Sequence, residues 1–258
     1  MNKIHKGDDN MLVEIKNLVK EYKDFRAVDI EKLDVKEGEV FGFLGPNGAG
    51  KTTTISILSG LYSKYQGDVK IFGKSIKDDP IFIKKNMGVV PQDLAIIDDL
   101  TAEENVSFFG ELYGLRGSDL KKAVKETLEF VGLWDRKKDF PNKFSGGMKR
   151  RLNIACAIVH KPKLIILDEP TVGIDPQSRN NILETIKKLN EQGSTIIYTS
   201  HYMEEVEAIC TDVCIVDKGK IIARGNIEAL KDLVEHEDGT RASLEEVFLK
   251  LTGKSLRD

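Results

Sequence analysis

The stretch 39-EVFGFLGPNGAGKTTTISILSG-60 decides the fold. Its first seven residues are a short apolar strand that runs into a glycine loop. A helix from about Gly50 to Gly60 follows. Between them, 45-GPNGAGKT-52 matches the pattern G-x-x-x-x-G-K-[ST]. Glycines let the backbone turn tightly enough for several N–H groups to converge on phosphate oxygens. The helix N-terminus adds partial positive charge, Lys51 reaches the β- and γ-phosphates, and the Thr52 hydroxyl can ligate Mg²⁺. Gly45, Pro46, Asn47, Gly48, Ala49, Gly50, Lys51, Thr52 and Thr53 are therefore the candidates to hold a nucleotide.

Moving outward, 164-LIILDEP-170 is an apolar strand that delivers Asp168 to the carboxyl edge of a sheet, a Walker-B position suited to Mg²⁺. Glu169 follows at once, so its side chain points elsewhere and can polarise an attacking water. Alone, an acidic pair after a strand is commonly a solvated strand end. After a phosphate loop, catalysis is the better reading.

The rest of the chain supplies the frame. Residues 12–35 alternate apolar positions and read as two strands of an edge sheet, and 67-GDVKIFG-73 as another strand. From about Asp93 to Asn142 the pattern is helical, with 101-TAEENVSFFGELYG-114 and 118-SDLKKAVKETLEFVG-132 as amphipathic segments. Thr101 and Glu104 have capping-box spacing, and Ser118 reads as an N-cap. Strands return at 163–168, 194–200 and 212–219, with helices between them. Apolar strands alternating with helices indicate a parallel sheet covered on both faces. The expected fold is α/β: a P-loop NTPase with a mostly parallel sheet covered by helices, an N-terminal antiparallel β subdomain and an inserted α-helical subdomain. The expected ATPase domain is 11–235, with the insertion at about 93–142. A helical tail spans 236–258, and 226–235 and 243–253 read as surface helices.

At 258 residues the chain can bury a substantial core. Its 31% charged residues and net charge of -3 disfavour a general nucleic-acid binder. Cys156, Cys210 and Cys214 sit in apolar surroundings and read as reduced packing residues. Cys210 and Cys214 are at helical spacing near His201, too few ligands for a zinc site. The start MNKIHKGDDN lacks a secretory h-region, and no window approaches a bilayer span. If the protein works at a membrane, a partner supplies the span. A further stretch, 143-KFSGGMKRRLNIACAIVH-160, leaves three readings open: a basic nucleic-acid patch, a solvated helix start, or a helix N-terminus presented to an anion.

The ordered series GPNGAGKT, VPQ, FSGGM, LIILDEP, GIDP and TSH resembles the nucleotide-binding subunit of an ATP-binding cassette (ABC) transporter. The resemblance implies ATP and Mg²⁺ as ligands, and these roles follow from it. Tyr22 stacks on adenine, with Phe25 its competitor. Gln92 contacts Mg²⁺ and the attacking water, and His201 contacts the γ-phosphate. Asp175 lies across a dimer seam. Ser145, Gly146 and Gly147 form the signature that faces another subunit's ATP; Phe144 and Met148 depart from the LSGGQ pattern. His5, His160 and His236 match nothing and read as surface or packing residues. The implied partners are a second ATPase subunit, in a homodimer, and an integral-membrane permease, with no nucleic acid. The implied location is the cytoplasmic face of the cell membrane. The layout and the tail SLEEVFLKLTG further resemble drug- and antibiotic-resistance exporters. The rival readings are a soluble ABC ATPase acting on ribosomes or DNA, and a regulatory module that holds ATP without turning it over.

Overall fold

The computed structural model describes residues 10–234 and 241–253. Two sheets organise the chain. The first is antiparallel, in the order β2-β1-β4-β5, from β1 (Met11–Tyr22), β2 (Phe25–Lys36), β4 (Gln66–Ile71) and β5 (Lys74–Ser75). The second has six strands in the order β10-β9-β3-β8-β7-β6. These are β3 (Val40–Leu44), β6 (Met87–Val90), β7 (Leu164–Asp168), β8 (Thr195–Ser200), β9 (Asp212–Asp217) and β10 (Lys220–Asn226). All its neighbouring pairs are parallel except β9 with β10.

Covering on both faces explains the unbroken apolar runs of β3 and β7, whose residues are all buried. Side chains of a strand alternate between faces. Leu44, Ile165, Leu167, Ile196, Tyr198 and Ile215 face one core, shared with the helices after residue 101. Phe41, Phe43, Ile166, Ile197, Cys214 and Val216 face the other, shared with α1 (Lys51–Leu58) and the antiparallel sheet. Each fully buried Leu, Ile or Phe contributes about 1.5–3 kcal/mol relative to exposure, so this sheet is a rigid platform for whatever its edge carries.

The insertion is helical over a shorter span than expected. Residues 93–101 form no helix; α3 (Ala102–Leu112) starts behind the expected Thr101–Glu104 capping box. Buried Asn105 holds the preceding loop by accepting from Ile97 N and donating to the carbonyls of Ile97 and Leu100. The next helix, α4 (Gly117–Phe130), begins one residue before Ser118, which lies inside its first turn. Its N-cap is Arg116, whose guanidinium donates to Glu111 O and Leu115 O and fixes the turn there.

Helix α5 (Gly146–Ile158) then returns the chain to the sheet. The remaining helices are α2 (Pro80–Lys85), α6 (Pro176–Glu191), α7 (Met203–Ile209), α8 (Ile227–Lys231) and α9 (Leu244–Thr252). α8 is shorter than 226–235, because Asn226 caps its start and turns follow Lys231. α9 is more than a surface helix: Leu244, Val247 and Phe248 enter the main core. Of the expected tail, 236–240 and 254–258 lie outside the described residues, as do His5, His236 and residues 1–9. Cys210 ends α7 and Cys214 lies in β9, so helical spacing does not relate them; all three thiols are buried and free. No helix among the described residues is long and apolar enough to cross a membrane.

Candidate active site

Strand order brings four distant segments to one sheet edge. Leu44 pairs with Ser200, Asp168 with Thr199, and Val90 with Leu167. The residues that follow, 45–52, 169, 201 and 91–92, therefore emerge side by side. In 45–52 two glycines are forced by close backbone. At Gly45 a Cβ would lie 2.4 Å from Val216 O, and at Gly50, with φ +102°, 2.5 Å from Ala27 O. Gly50 is the N-cap of α1, whose first backbone bond runs from Thr54 N to Gly50 O. The N–H groups of Lys51, Thr52 and Thr53 precede that bond and are available to an anion. They open on a cleft of about 320 Å³ lined by Asn47, Gly48, Thr52, Thr53, Gln92 and Glu169, with Tyr22 and Phe25 at its mouth. Both aromatics are exposed, and Tyr22 meets Tyr62 edge-on at 6.2 Å.

The charged groups are already in contact. Lys51 is buried, donates to Gly45 O at 2.7 Å, and places Nζ 3.1 Å from Glu169 Oε1. His201 Nδ1 lies 3.2 Å from Glu169 Oε2. Glu169 holds φ +47°, a left-handed conformation that costs a non-glycine residue about 1–3 kcal/mol. Its N–H is held by Thr199 Oγ1 at 2.9 Å, and the same hydroxyl donates to Asp168 Oδ1 at 2.6 Å. One threonine thus sets both carboxylates.

Among the described residues no cluster of three or more His, Cys, Asp or Glu side chains could hold a metal. The buried Asp168 carboxylate has no ion-pair partner among the described residues. A carboxylate, a hydroxyl and an amide oxygen are the donors a hard divalent cation takes, so Asp168, Thr52 and Gln92 fit Mg²⁺.

Ser145, Gly146, Gly147 and Asp175 do not line this cleft. Ser145 is the N-cap of α5, its Oγ accepting from Met148 N at 3.3 Å. Gly146 has room, its nearest neighbour being Ile174 Cδ1 at 3.6 Å from an added Cβ. At Gly147 a Cβ would lie 2.3 Å from Ser178 Oγ. Packing of α5 against α6 therefore demands that glycine. Asp175 caps α6 by accepting from Ser178 N at 2.9 Å, a bond that lowers its pKa.

The model of the family described as "ABC transporter" matches residues 28–172. An overlapping match at 141–207 is to an AAA domain described as a putative AbiEii toxin. The chain is 52% identical over 214 residues to the linearmycin resistance ATP-binding protein LnrL of Bacillus subtilis, covering 83% of this chain and 69% of that one. It is 35% identical to the Nod factor export ATP-binding protein I of Cupriavidus metallidurans, over 96% of this chain and 99% of that one. Among solved structures, an ATP-binding subunit of an ABC transporter superposes with TM-score 0.82 at 30% identity, over 93% of this chain and 99% of that one. A dimeric ATP-binding cassette in a post-hydrolysis state with ADP and Pi superposes with TM-score 0.75 at 29% identity, over 83% of this chain and 98% of that one. The chain belongs to the ABC transporter family.

As an ABC ATPase it carries site residues that motif reading missed. Thr199, present in the TSH motif without a role of its own, is one; only strand register places it against Asp168. Glu205, buried four residues past His201, is another. Its Oε2 accepts from Tyr198 OH at 2.7 Å, Thr171 Oγ1 at 2.8 Å and Ser200 Oγ at 3.0 Å, and Arg179 Nε lies 3.3 Å from its Oε1. Ser200 Oγ accepts in turn from Tyr202 N at 2.9 Å, which fixes the turn carrying His201. Burial and Glu205 together push the Tyr198 phenol well up, so it stays a donor. The basic run Lys149, Arg150 and Arg151 is not a patch. Arg150 is buried, and Arg151 donates to Val131 O and Gly132 O.

Proposed function

We propose that this ABC ATPase powers an exporter of drugs, antibiotics or other hydrophobic compounds, working as a head-to-tail homodimer beneath a separate membrane permease. The observation that carries the dimer is the position of Ser145, Gly146 and Gly147. They form a helix N-terminus outside the cleft that holds Lys51 and Glu169. A second copy brings its signature to that cleft and receives the reciprocal contact. The dimeric cassette among the structural relatives supports this arrangement, and the resistance and export relatives support the direction of transport. The permease places the ATPase at the cytoplasmic face of the membrane.

In this reading Tyr22, or Phe25 beside it, stacks on adenine, and the N–H groups of Lys51, Thr52 and Thr53 hold the phosphates. Gln92 and His201 orient a water against the γ-phosphorus. Glu169 accepts the water proton as the new P–O bond forms and the bond to the β-phosphate oxygen breaks, leaving ADP and phosphate. Lys51 neutralises charge developing on the transferred group. Thr52, Asp168 and Gln92 would hold Mg²⁺, which would supply further charge neutralisation. The signature donors and Asp175 close the site from the partner's side.

The test uses mixtures. A Lys51→Ala chain and a Ser145→Arg chain, each inactive alone, are expected to recover up to one working site per mixed dimer. ATP turnover of the mixture measures it. Turnover no higher than the two separate preparations overturns the shared site.

A further inference from the structure

Helix α5 does more than present Ser145. At its fifth residue the Arg150 guanidinium turns inward, 5% exposed. Its Nη1 donates to Pro91 O at 2.9 Å and its Nη2 to Gln92 O at 2.7 Å. Three residues on, and on the same face, buried Asn153 Oδ1 accepts from Ala95 N at 3.1 Å. Three hydrogen bonds thus fasten 91–95, the segment that carries Gln92, to the helix whose N-terminus carries Ser145. The joint is costly. Arg150 Nε and Asn153 Nδ2 are buried without partners, and burial opposes the Arg150 charge, with Asp93 the acidic group that offsets it. Two leucines would hold a loop on a helix at lower cost. A planar fork on two consecutive carbonyls does something leucines cannot: it fixes the backbone of one residue.

We infer that Arg150 is the positioning residue for Gln92, with Asn153 as its support, so that Gln92 moves as one body with the signature helix. The inference rests on the shared-site reading. Because α5 faces the partner's nucleotide, the fork makes each Gln92 respond to occupancy of the other site. Arg150 touches no nucleotide and acts only through Gln92.

Steady-state ATP turnover of the full chain gives the first readout. Arg150→Met is expected to lower kcat about 10-fold with KM for ATP changed less than about twofold, the pattern of an interaction made only in the transition state. Arg150→Lys, which cannot bridge both carbonyls, falls between, and Asn153→Ala loses less. The steepness of rate against ATP concentration falls with kcat. Wild-type kcat in Arg150→Met, or losses in kcat and KM that follow a lowered Tm, overturns the inference. If Arg150→Met does not fold, Arg150→Lys and Asn153→Ala carry the same comparison.

Mixed dimers give the second readout. One chain carries Glu169→Gln, so all turnover comes from the site built on the other chain's Lys51 and Glu169. Arg150→Met on that other chain is expected to cut the rate, and on the Glu169→Gln chain to leave it nearly intact. The reverse pattern means that Arg150 serves the signature rather than Gln92 and overturns the inference. Failure of the Glu169→Gln chain to form an ATP-dependent dimer on size exclusion defeats the shared-site reading instead, and the kcat-against-KM split still decides the role of Arg150.

Discussion

Helices α1 and α5 both begin with backbone N–H groups free of intrahelical bonds, and the two starts are built in opposite ways. α1 has no side-chain cap; a left-handed Gly50 starts it, and the buried Lys51 is matched by Glu169 of the same chain. α5 has a serine cap, and its first residues are set by packing on α6. The first site carries its own countercharges, while the second offers only donors. In the dimer we propose, the first N-terminus does the chemistry and the second completes the site of the partner chain.

The largest effects test the first helix. Glu169→Gln removes the proposed proton acceptor and is expected to slow ATP turnover by about 10²–10⁴-fold while ATP binding, followed with a fluorescent analogue, persists. Because Glu169 also balances the buried Lys51, Lys51→Ala leaves that carboxylate without its cation and should weaken both binding and turnover. Unchanged turnover in Glu169→Gln would remove the distinction between the two helices.

Two glycines of α5 sharpen the contrast at an intermediate scale. Gly147→Ala must push Ser178 aside and is expected to cost about 1–3 kcal/mol in chemical unfolding. Gly146→Ala meets only Ile174 Cδ1 and should leave stability within about 0.5 kcal/mol. Equal losses would mean that packing does not govern this helix start. Ser145→Ala removes the cap and is expected to cost about 1 kcal/mol in the same measurement.

A last effect, seen only on acidification, lies just beyond the far end of α5. His160 stacks on Tyr113 at 3.5 Å, and burial lowers its pKa from 6.5 to about 4. Between these values the unfolded chain binds a proton that the native chain refuses. This contribution is therefore complete above about pH 6.5 and declines as pH falls towards 4. His160→Phe keeps a ring on Tyr113 and should flatten the loss of Tm between pH 7 and 5; an unchanged slope assigns it to other groups.

The candidate site residues of the cleft can be read locally because each is tied to a short pattern. A strand that ends in GPNGAGKT, or an apolar run that ends in Asp168 and Glu169, is readable from one short window. The strands that carry them were equally plain, since burial on both faces leaves unbroken apolar runs. What escaped is held by register or by side chains reaching across elements. Thr199 matters because β7 and β8 align it with Asp168, and Arg150 because it reaches a loop 58 residues earlier. The edge strand β6 hid inside 87-MGVV-90, too short for an alternating pattern to declare itself. Ser118 misled because the Arg116 guanidinium, bonded to Glu111 O and Leu115 O, fixes the turn two residues earlier and starts the helix before the serine.

The place of β3 within its sheet has a consequence for how the molecule is made. Its neighbours are β8 and β9, so residues 40–44 wait for partners that begin at Thr195 and Asp212. At a synthesis rate of about 5–20 residues per second, roughly 10–30 s separate the phosphate loop from the strands that anchor it. During that interval the antiparallel sheet can pair from β1 and β2 alone, while β3, the strand that leads into the phosphate loop, stays unpaired. A nascent chain halted before Thr195 therefore holds every residue of its phosphate loop and neither of the strands that flank β3.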